Sequence, residues 1–185
     1  MTKTQRDDPE LVRAANDGDT AAFEEFVRAH TDAVYAHAYR FFGDVNAAQD
    51  ATQEVWVKVY QALPEFQGRS AVSTWLFRIT RNACLDMLRA GRRVAPSIDP
   101  LDIQGRSADD TAGDATSRVD LQTAMRALSP EDRDAFNAVA LFGLQYSEAG
   151  SVLGVPAGTV KSRVFRARRA LIALLSLDAK GGAAL

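Results

Sequence analysis

The stretch YSEAGSVLGVPAGTVKSRVFRARRAL, residues 146–171, has the pattern of two helices joined by a tight turn. Gly154 is suited to end the first helix, Pro156 cannot continue it, and Thr159 can cap the second. Gly150, inside the first helix, is expected to cost roughly 1 kcal/mol relative to alanine unless close helix packing requires it. The second helix has an apolar stripe at helical spacing, made of Val160, Val164, Ala167, Leu171 and Leu174. This pattern predicts a helix-turn-helix.

The face of the second helix opposite the apolar stripe is basic. At 100° per residue this face contains Ser162, Phe165, Arg166 and Arg169, with Lys161 and Arg163 on its flanks. It suits the DNA major groove, because arginine reads guanine edges in a bidentate way and serine or lysine can hold bases or phosphates. A solvated amphipathic helix has a similar charge pattern, but it does not need the helix-turn punctuation that precedes this one.

Positive charge is concentrated in two segments of an otherwise acidic chain. The 185 residues include 22 Lys and Arg against 24 Asp and Glu, a formal net charge of −2. Residues 65–93 nevertheless carry 6 Lys and Arg against 2 Asp and Glu, and residues 159–185 carry 6 against 1. We therefore expect weak general attraction to DNA and two places that favour phosphate.

Several classes of protein are excluded by what the sequence contains. The single cysteine, Cys84, rules out an internal disulfide and a cysteine-based zinc site, and favours a reducing compartment. No signal peptide and no membrane-spanning apolar run is recognisable, so we expect a cytoplasmic protein without membrane insertion. His30 and His37 have no accompanying carboxylate pattern of a metal site and are expected to be surface or half-packed residues. No nucleophile–base pair or ligand cluster indicates an enzyme, a metal or a cofactor.

The first half of the chain has the apolar spacing of helices. A helical pattern from Pro9 to Phe42 is broken at residues 18–20, where Asp19 or Thr20 can cap the next helix, and another helix is expected from Ala47 to Leu63. The polar face of that helix holds Asp50, Gln53, Glu54, Val57 and Gln61. A valine among acids and amides is either one stray apolar residue on a solvated face or part of a partner-binding surface, and the helix alone leaves both open.

A further helix is expected from Trp75 to about Ala90, capped by Ser73 or Thr74. Opposite its apolar stripe lie Arg78, Arg81, Asn82, Leu85 and Arg89. Cationic groups beside an aromatic ring fit single-stranded nucleic acid, because the cations follow the phosphates and the ring can stack on an unstacked base. Trp75 as a core residue is the alternative, and the two roles are compatible.

The sequence predicts an all-α protein of two small helical domains. Residues 94–117 lose the apolar period and become rich in proline, glycine, serine and aspartate, which indicates a flexible acidic linker. Ser129 and Pro130 form a well-marked helix start beyond it. We therefore predict domains at residues 1–93 and 118–177, with a frayed tail at residues 178–185.

Three stretches together resemble a known family. DATQEVWVKVYQAL (residues 50–63), FQGRSAVSTWLFRITRNACLDMLR (residues 66–89) and the helix-turn-helix from Leu144 to Leu171 occur in this order with this linker. In this combination they resemble a group 4, or extracytoplasmic-function, sigma factor of bacterial RNA polymerase, with a sigma-2-like domain followed by a sigma-4-like domain.

The resemblance implies binding to core RNA polymerase and to promoter DNA, without catalysis. Residues implied to contact the clamp helices of the polymerase β′ subunit are Asp50, Gln53, Glu54 and Val57. Residues implied to read and melt the −10 element as a single strand are Phe66, Gln67, Gly68, Arg69, Ser70, Trp75, Arg78, Arg81, Asn82 and Arg89, of which the loop 66–70 would hold a flipped base. Residues implied to bind the −35 element as a duplex are Thr159, Lys161, Ser162, Arg163, Phe165, Arg166 and Arg169, with Arg168 and Arg169 mostly on phosphates. The β flap and an anti-sigma factor are further implied partners.

A second class of function also fits the helix-turn-helix. A stand-alone transcriptional repressor or activator would use the same reading helix, with residues 1–93 as an effector or dimerisation domain. Binding of DNA in the absence of polymerase separates the two, because a repressor binds its operator alone.

Overall fold

The computed structural model describes residues 9–94 and 115–181, and within these ranges the chain is helical with no strand. The amino-terminal domain consists of α1 (Pro9–Asn16), α2 (Thr20–Phe42), α3 (Val45–Ala62), a 3-10 turn (Leu63–Glu65) and α4 (Val72–Val94). The carboxy-terminal domain consists of α5 (Ala115–Arg126), α6 (Pro130–Ala140), α7 (Tyr146–Leu153) and α8 (Ala157–Gly181). The predicted all-α architecture is confirmed. None of the described helices has the length and apolar character needed to cross a membrane.

Side-chain caps set several of the helix starts. Asp19 accepts hydrogen bonds from Ala21 N at 2.9 Å and Ala22 N at 3.1 Å, so α2 begins where the sequence predicts. Asp44 accepts from Ala47 N at 2.7 Å, which starts α3 at Val45, two residues before the predicted start. Ser129 caps α6, with Pro130 as its first residue, as predicted.

Two predicted caps are wrong. Helix α4 begins at Val72, so Ser73 and Thr74 lie inside its first turn and are buried. Helix α8 begins at Ala157, and Thr159 lies in its first turn with its N–H donating to Pro156 O at 2.9 Å. In both cases a residue with a capping side chain is placed inside the helix, because the chain enters the helix earlier than local propensity indicates.

The ends of the long helices also differ from the predictions. Helix α4 extends to Val94 rather than to about Ala90, and α8 continues through Gly181, past the predicted start of the frayed tail at residue 178. Most of the predicted linker, residues 95–114, and the last residues, 182–185, lie outside the described residues.

The prediction of surface or half-packed histidines is wrong, since His30 is 3% exposed and His37 is fully buried. Helix α2 is covered on several sides, so polar residues on it are enclosed along with the apolar ones. His30 Nδ1 lies 2.9 Å from Phe26 O. The ring of His37 packs edge-on against Phe77, 5.6 Å between centroids, and Phe142, at 6.0 Å. Burial, together with the nearby positive charges of Arg81, Arg40 and Arg133, lowers the pKa of His37 to about 3, so the ring is neutral.

The two domains pack against each other. The rings of Phe77 on α4 and Phe142 after α6 lie 5.2 Å apart and belong to one buried cluster that includes residues of both domains. Polar contacts surround this cluster: Gln122 Nε2 donates to Tyr39 O at 2.9 Å, Arg126 Nη2 to Gly43 O at 2.7 Å, Arg40 Nη1 to Asn137 Oδ1 at 3.1 Å, and Arg81 Nε to Asp134 Oδ2 at 2.7 Å. The interface therefore combines apolar burial with directional hydrogen bonds.

Candidate nucleic-acid and polymerase surfaces

Helix α8 buries its apolar stripe and exposes its basic face. Val160, Val164, Ala167 and Leu171 are buried, as predicted. The exposed residues of the opposite face are Lys161, Ser162, Phe165, Arg166, Arg168 and Arg169, while Thr159 and Arg163 are half-buried. Phe165 is 60% exposed, and the guanidinium carbon of Arg169 lies 5.8 Å from the centre of its ring. An exposed ring among cations is an unusual surface for a helix that only contacts water.

The turn before α8 requires glycine at two positions. Gly154 ends α7 in the left-handed region with φ 68°. A Cβ on Gly150 would lie 2.6 Å from Val155 O, so the turn packs directly on the backbone of α7. The close helix packing that would justify a glycine here is thus present, and it fixes the angle at which α8 leaves the turn.

Arg166 on the reading face has an internal partner. Its Nη2 lies 2.7 Å from Asp132 Oδ1 and its Nε lies 3.2 Å from Asp132 Oδ2, a bidentate pair with the first turn of α6. The Arg166 side chain remains 58% exposed in this pair. The Asp132 side chain is 13% exposed, so the pair is open to solvent mainly on the arginine side.

The basic face of α4 is mostly exposed. Arg78, Asn82 and Arg89 face solvent, but the side chain of Arg81 is 26% exposed and forms an ion pair with the side chain of Asp134, which is 12% exposed. Burial raises the pKa of Asp134, while the charge and hydrogen bond of Arg81 oppose that rise. Arg81 is thus the one predicted −10 residue that is tied to the other domain among the described contacts.

A cavity of about 530 Å³ adjoins the loop that precedes α4. The loop residues Phe66, Gln67, Gly68 and Ser70 line one side of it, whereas Arg69 is exposed and does not. The ring of Phe66 lies 4.9 Å from the half-buried ring of Trp75. The cavity is in the size range of small-molecule sites in proteins.

Helix α1 supplies the other wall of this cavity, which the sequence did not indicate. Val12, Arg13 and Asn16 line it. The Oδ1 atom of Asn16 is buried and has no hydrogen-bond partner among the described residues. A buried polar atom without a partner marks a place where a ligand or water can be accommodated. No local pattern could reveal this contribution, because α1 and the loop are about 50 residues apart in the chain.

The polar face of α3 is exposed as predicted. Asp50, Gln53 and Glu54 face solvent, and Val57 is 52% exposed. Tyr60, one turn after Val57, is 67% exposed and extends the apolar patch, and its ring forms a T-shaped pair with Phe23, 5.3 Å between centroids. The spacing of three residues from Val57 is the signal by which Tyr60 could have been recognised from the sequence.

Comparison with known proteins agrees with the two-domain division. A model described as Sigma-70 region 2 matches residues 26–94, and one described as Sigma-70, region 4 matches residues 118–171. The chain is 39% identical over 162 residues to the ECF RNA polymerase sigma factor SigE of Mycolicibacterium smegmatis, covering 83% of this chain and 63% of that protein. It is 35% identical over 184 residues to the RNA polymerase sigma-H factor of Pseudomonas aeruginosa, covering 91% of this chain and 93% of that protein.

A solved structure shares the arrangement of the helices. It is the sigma factor RpoE in complex with the anti-sigma factor NepR from Bartonella quintana, at 26% sequence identity and a TM-score of 0.70. The superposition covers 84% of this chain and 98% of that one, so the likeness includes parts of both domains.

Proposed function

The chain belongs to the extracytoplasmic-function sigma factors of bacterial RNA polymerase, and from this premise we propose how its surfaces direct transcription from chosen promoters. As an alternative sigma factor it directs transcription initiation. The proposal assigns one surface to core polymerase and two to promoter DNA, and all three act by binding rather than by catalysis.

The polymerase surface is the exposed face of α3. Asp50, Gln53, Glu54 and Val57 contact the clamp helices of the β′ subunit, and Tyr60 adds to the apolar centre of the patch. The support is the 52% exposure of Val57 and the 67% exposure of Tyr60 on a helix whose other face is fully packed. Apolar residues surrounded by polar ones are typical of a protein interface. The Glu54–Lys58 pair, 3.3 Å between Oε1 and Nζ, is exposed and easily rearranged.

The −10 surface is formed by α4 and the preceding loop. Trp75, Arg78, Arg81, Asn82 and Arg89 stabilise the separated strand, with cations on its phosphates and the ring beside a base. The loop Phe66–Ser70 holds a base that has left the duplex. The support is the adjoining cavity of about 530 Å³, with Phe66 and Trp75 in contact beside it. Extrusion of a base costs a few kcal/mol, which a pocket with an aromatic wall can offset.

The −35 surface is the basic face of α8. Lys161, Ser162, Arg163, Phe165 and Arg166 enter the major groove, Thr159 lies at the start of that face, and Arg168 and Arg169 neutralise phosphates. The support is the exposure of this face on a helix seated in a helix-turn-helix by Gly150 and Gly154.

One observation carries the proposal: the two basic helix faces lie on different domains of the same chain, each exposed on its own helix. The test is transcription in vitro by core polymerase with this protein on a library randomised across the promoter. We expect enrichment of two short elements, with Asn82→Ala changing selection only in the downstream one and Arg166→Ala only in the upstream one. Failure of the protein to associate with core polymerase, or to confer any start-site selectivity, would overturn the proposal.

The stand-alone repressor or activator remains a distinct alternative with a simple test. Gel-shift titration with the promoters enriched above, without polymerase, should give weak binding for a sigma factor. Tight and specific binding by the protein alone would favour the repressor.

We extend the proposal to an anti-sigma partner, because the similar RpoE structure contains one. Such a partner would cover the exposed faces of α3 and α8 and exclude polymerase and DNA. Copurification of the protein with an endogenous partner that blocks core polymerase binding would support this step, and a copurified protein that leaves polymerase binding intact would contradict it.

A further inference from the structure

We propose that helix α6 is an internal clasp: Asp134 binds Arg81 of the other domain and helps to hold the protein in a closed form that cannot engage a promoter, while Asp132 occupies Arg166 of the second DNA-reading surface within its own domain. The clasp goes beyond the proposed function and rests on it in one respect, the assignment of Arg81 and Arg166 to DNA.

Two ion pairs connect α6 to the two DNA-reading surfaces. Asp134 accepts from Arg81 Nε of α4 at 2.7 Å, and Asp132 accepts from Arg166 Nη2 of α8 at 2.7 Å. The two carboxylates are two residues apart on α6, a rise of about 3 Å along the helix axis. Side chains assigned to two separate promoter elements are thus bound by neighbouring groups of a single helix.

The burial of Asp134 is not explained by its position in α6. Asp132 lies in the first turn of α6, where an acid complements the helix dipole, but Asp134 lies beyond that turn. Only 9% of its surface is exposed. A carboxylate is rarely buried to this degree unless a cation accompanies it, and here the cation comes from the other domain. While Arg81 is bound to Asp134, it cannot also bind a DNA phosphate.

The closed form is too short to span two promoter elements. Promoter elements centred about 25 base pairs apart lie roughly 85 Å apart on B-form DNA, at 3.4 Å per base pair. In the closed form the two domains are in direct contact through Phe77, Phe142 and the polar contacts around them. Helices α4 and α8 therefore cannot reach both elements at once, and the domain interface has to open before the protein can act.

Contacts across the domain interface also reduce binding affinity. When only a fraction of the molecules is open, the apparent affinity for polymerase and promoter is the affinity of the open form multiplied by that fraction. Removing one contact that crosses the interface should raise that fraction, whether or not the contact involves a DNA-reading residue. Asp134→Asn removes the charge that holds Arg81, and Arg126→Ala removes the hydrogen bond to Gly43 O without touching either reading surface. Glu131→Gln is the matched control, because it removes one acid from the exposed side of the same helix.

The experiment measures closure and binding separately on the full chain. Small-angle X-ray scattering of the free protein should give a larger radius of gyration for Asp134→Asn and for Arg126→Ala than for the wild type and Glu131→Gln, with helical content by circular dichroism unchanged. The same two variants should bind core polymerase at least about threefold more tightly. Asp132→Asn should leave the radius of gyration unchanged and increase affinity for an upstream-element duplex, since it frees Arg166.

Folded Asp134→Asn and Arg126→Ala variants that scatter like the wild type, or that open without a gain in polymerase affinity, would overturn the clasp. An unchanged affinity of Asp132→Asn for the duplex would show that Asp132 does not withhold Arg166 from DNA. These outcomes differ from failure of the proposed function, because in that case no form of the protein would bind core polymerase while the scattering differences would remain.

Discussion

At the scale of single residues, the most constrained position in the carboxy-terminal domain is Gly150. A Cβ there would approach Val155 O to 2.6 Å, and backbone atoms cannot give way as the end of a flexible side chain can. We expect Gly150→Ala to lower the free energy of unfolding by about 1–3 kcal/mol, the usual cost of overpacking. Urea titration followed by circular dichroism measures it.

Gly158 provides the matched control. It lies in the first turn of α8, and no atom would lie within 4 Å of an added Cβ. Gly158→Ala should therefore stabilise the protein, by up to about 1 kcal/mol, through helix propensity alone. Equal effects of the two substitutions would show that close packing of the turn is not what selects glycine at position 150.

His37 makes stability depend on pH. Its pKa is about 3 in the folded protein and 6.5 as the ordinary value, so the unfolded chain binds the proton first as pH falls. Stability contributed by the neutral ring is complete above pH 6.5 and is lost as pH falls through the range from 6.5 to 3, by up to about 1.4 kcal/mol per unit.

The variant His37→Phe isolates this effect, because its ring cannot titrate and all other groups are shared. Between pH 7.5 and 5.0 the wild type should lose about 2 kcal/mol more of its free energy of unfolding than the variant. If the free energy of unfolding changed with pH in the same way in both proteins, His37 would not be the source of the pH dependence. Arg81, Arg40 and Arg133 supply the positive charge around the ring.

The sequence predicts the exposure of single residues on a helix, but it does not predict contacts between the two domains. The exposure of Val57 and Phe165 follows from helical periodicity alone, and the structure agrees. The burial of His37 and the pairing of Arg81 with Asp134 depend on contacts with the other domain, which no local pattern encodes. Asp134 lies 53 residues from Arg81 in the chain, on the far side of the linker.

At the scale of the element, α8 should divide its arginines between base and phosphate contacts. Arg166→Ala is expected to cost roughly 1–3 kcal/mol at one position of the upstream promoter element and to relax the preference there. Arg169→Ala should weaken all sequences about equally and reduce the salt dependence of binding by about one unit in slope. Transcription from a set of single-base promoter variants at several salt concentrations distinguishes them, and an unchanged preference in Arg166→Ala would show that it does not read a base.

Helix α3 offers a matched pair of exposed valines. Val57 and Val45 are 52% and 45% exposed on the same helix, but only Val57 lies within the patch formed with Tyr60. Val57→Glu should lower affinity for core polymerase by tenfold or more, about 1.4 kcal/mol, whereas Val45→Glu should leave it unchanged. A pull-down titration with core polymerase measures both. Equal losses would mean that added charge, rather than the patch, controls binding.

Element boundaries were predictable only where a cap and a breaker coincide. Ser129 followed by Pro130 fixed the start of α6, and Gly154 fixed the end of α7. At α4 and α8, Ser73, Thr74 and Thr159 are plausible caps by residue type, yet they lie inside the helices. At α4 the first turn, residues 72–74, is buried, and its packing outweighs the small energy of a side-chain cap. At α8 the helix begins at Ala157, directly after Pro156.

At the scale of the whole molecule, the interface should make the two domains unfold together. It joins Phe77 and Phe142 in one buried cluster and adds the contacts of Arg81 and Arg126. Domains joined only by a linker would unfold independently, whereas domains that share a buried cluster lose stability jointly. The sequence predicted the domains but not this coupling, because their mutual surface is assembled from segments that lie far apart in the chain.

The positions of the tryptophans allow the coupling to be measured. Trp56 and Trp75 are the two tryptophans of the chain and both lie in the amino-terminal domain, so fluorescence reports on that domain while circular dichroism reports on both. In the wild type we expect the two signals to give coincident urea transitions. In the double variant Asp134→Asn with Arg126→Ala, the circular dichroism transition should broaden and separate from the fluorescence transition, because each domain then unfolds with its own midpoint. Coincident transitions in the double variant, or separate ones in the wild type, would show that the interface does not couple the domains.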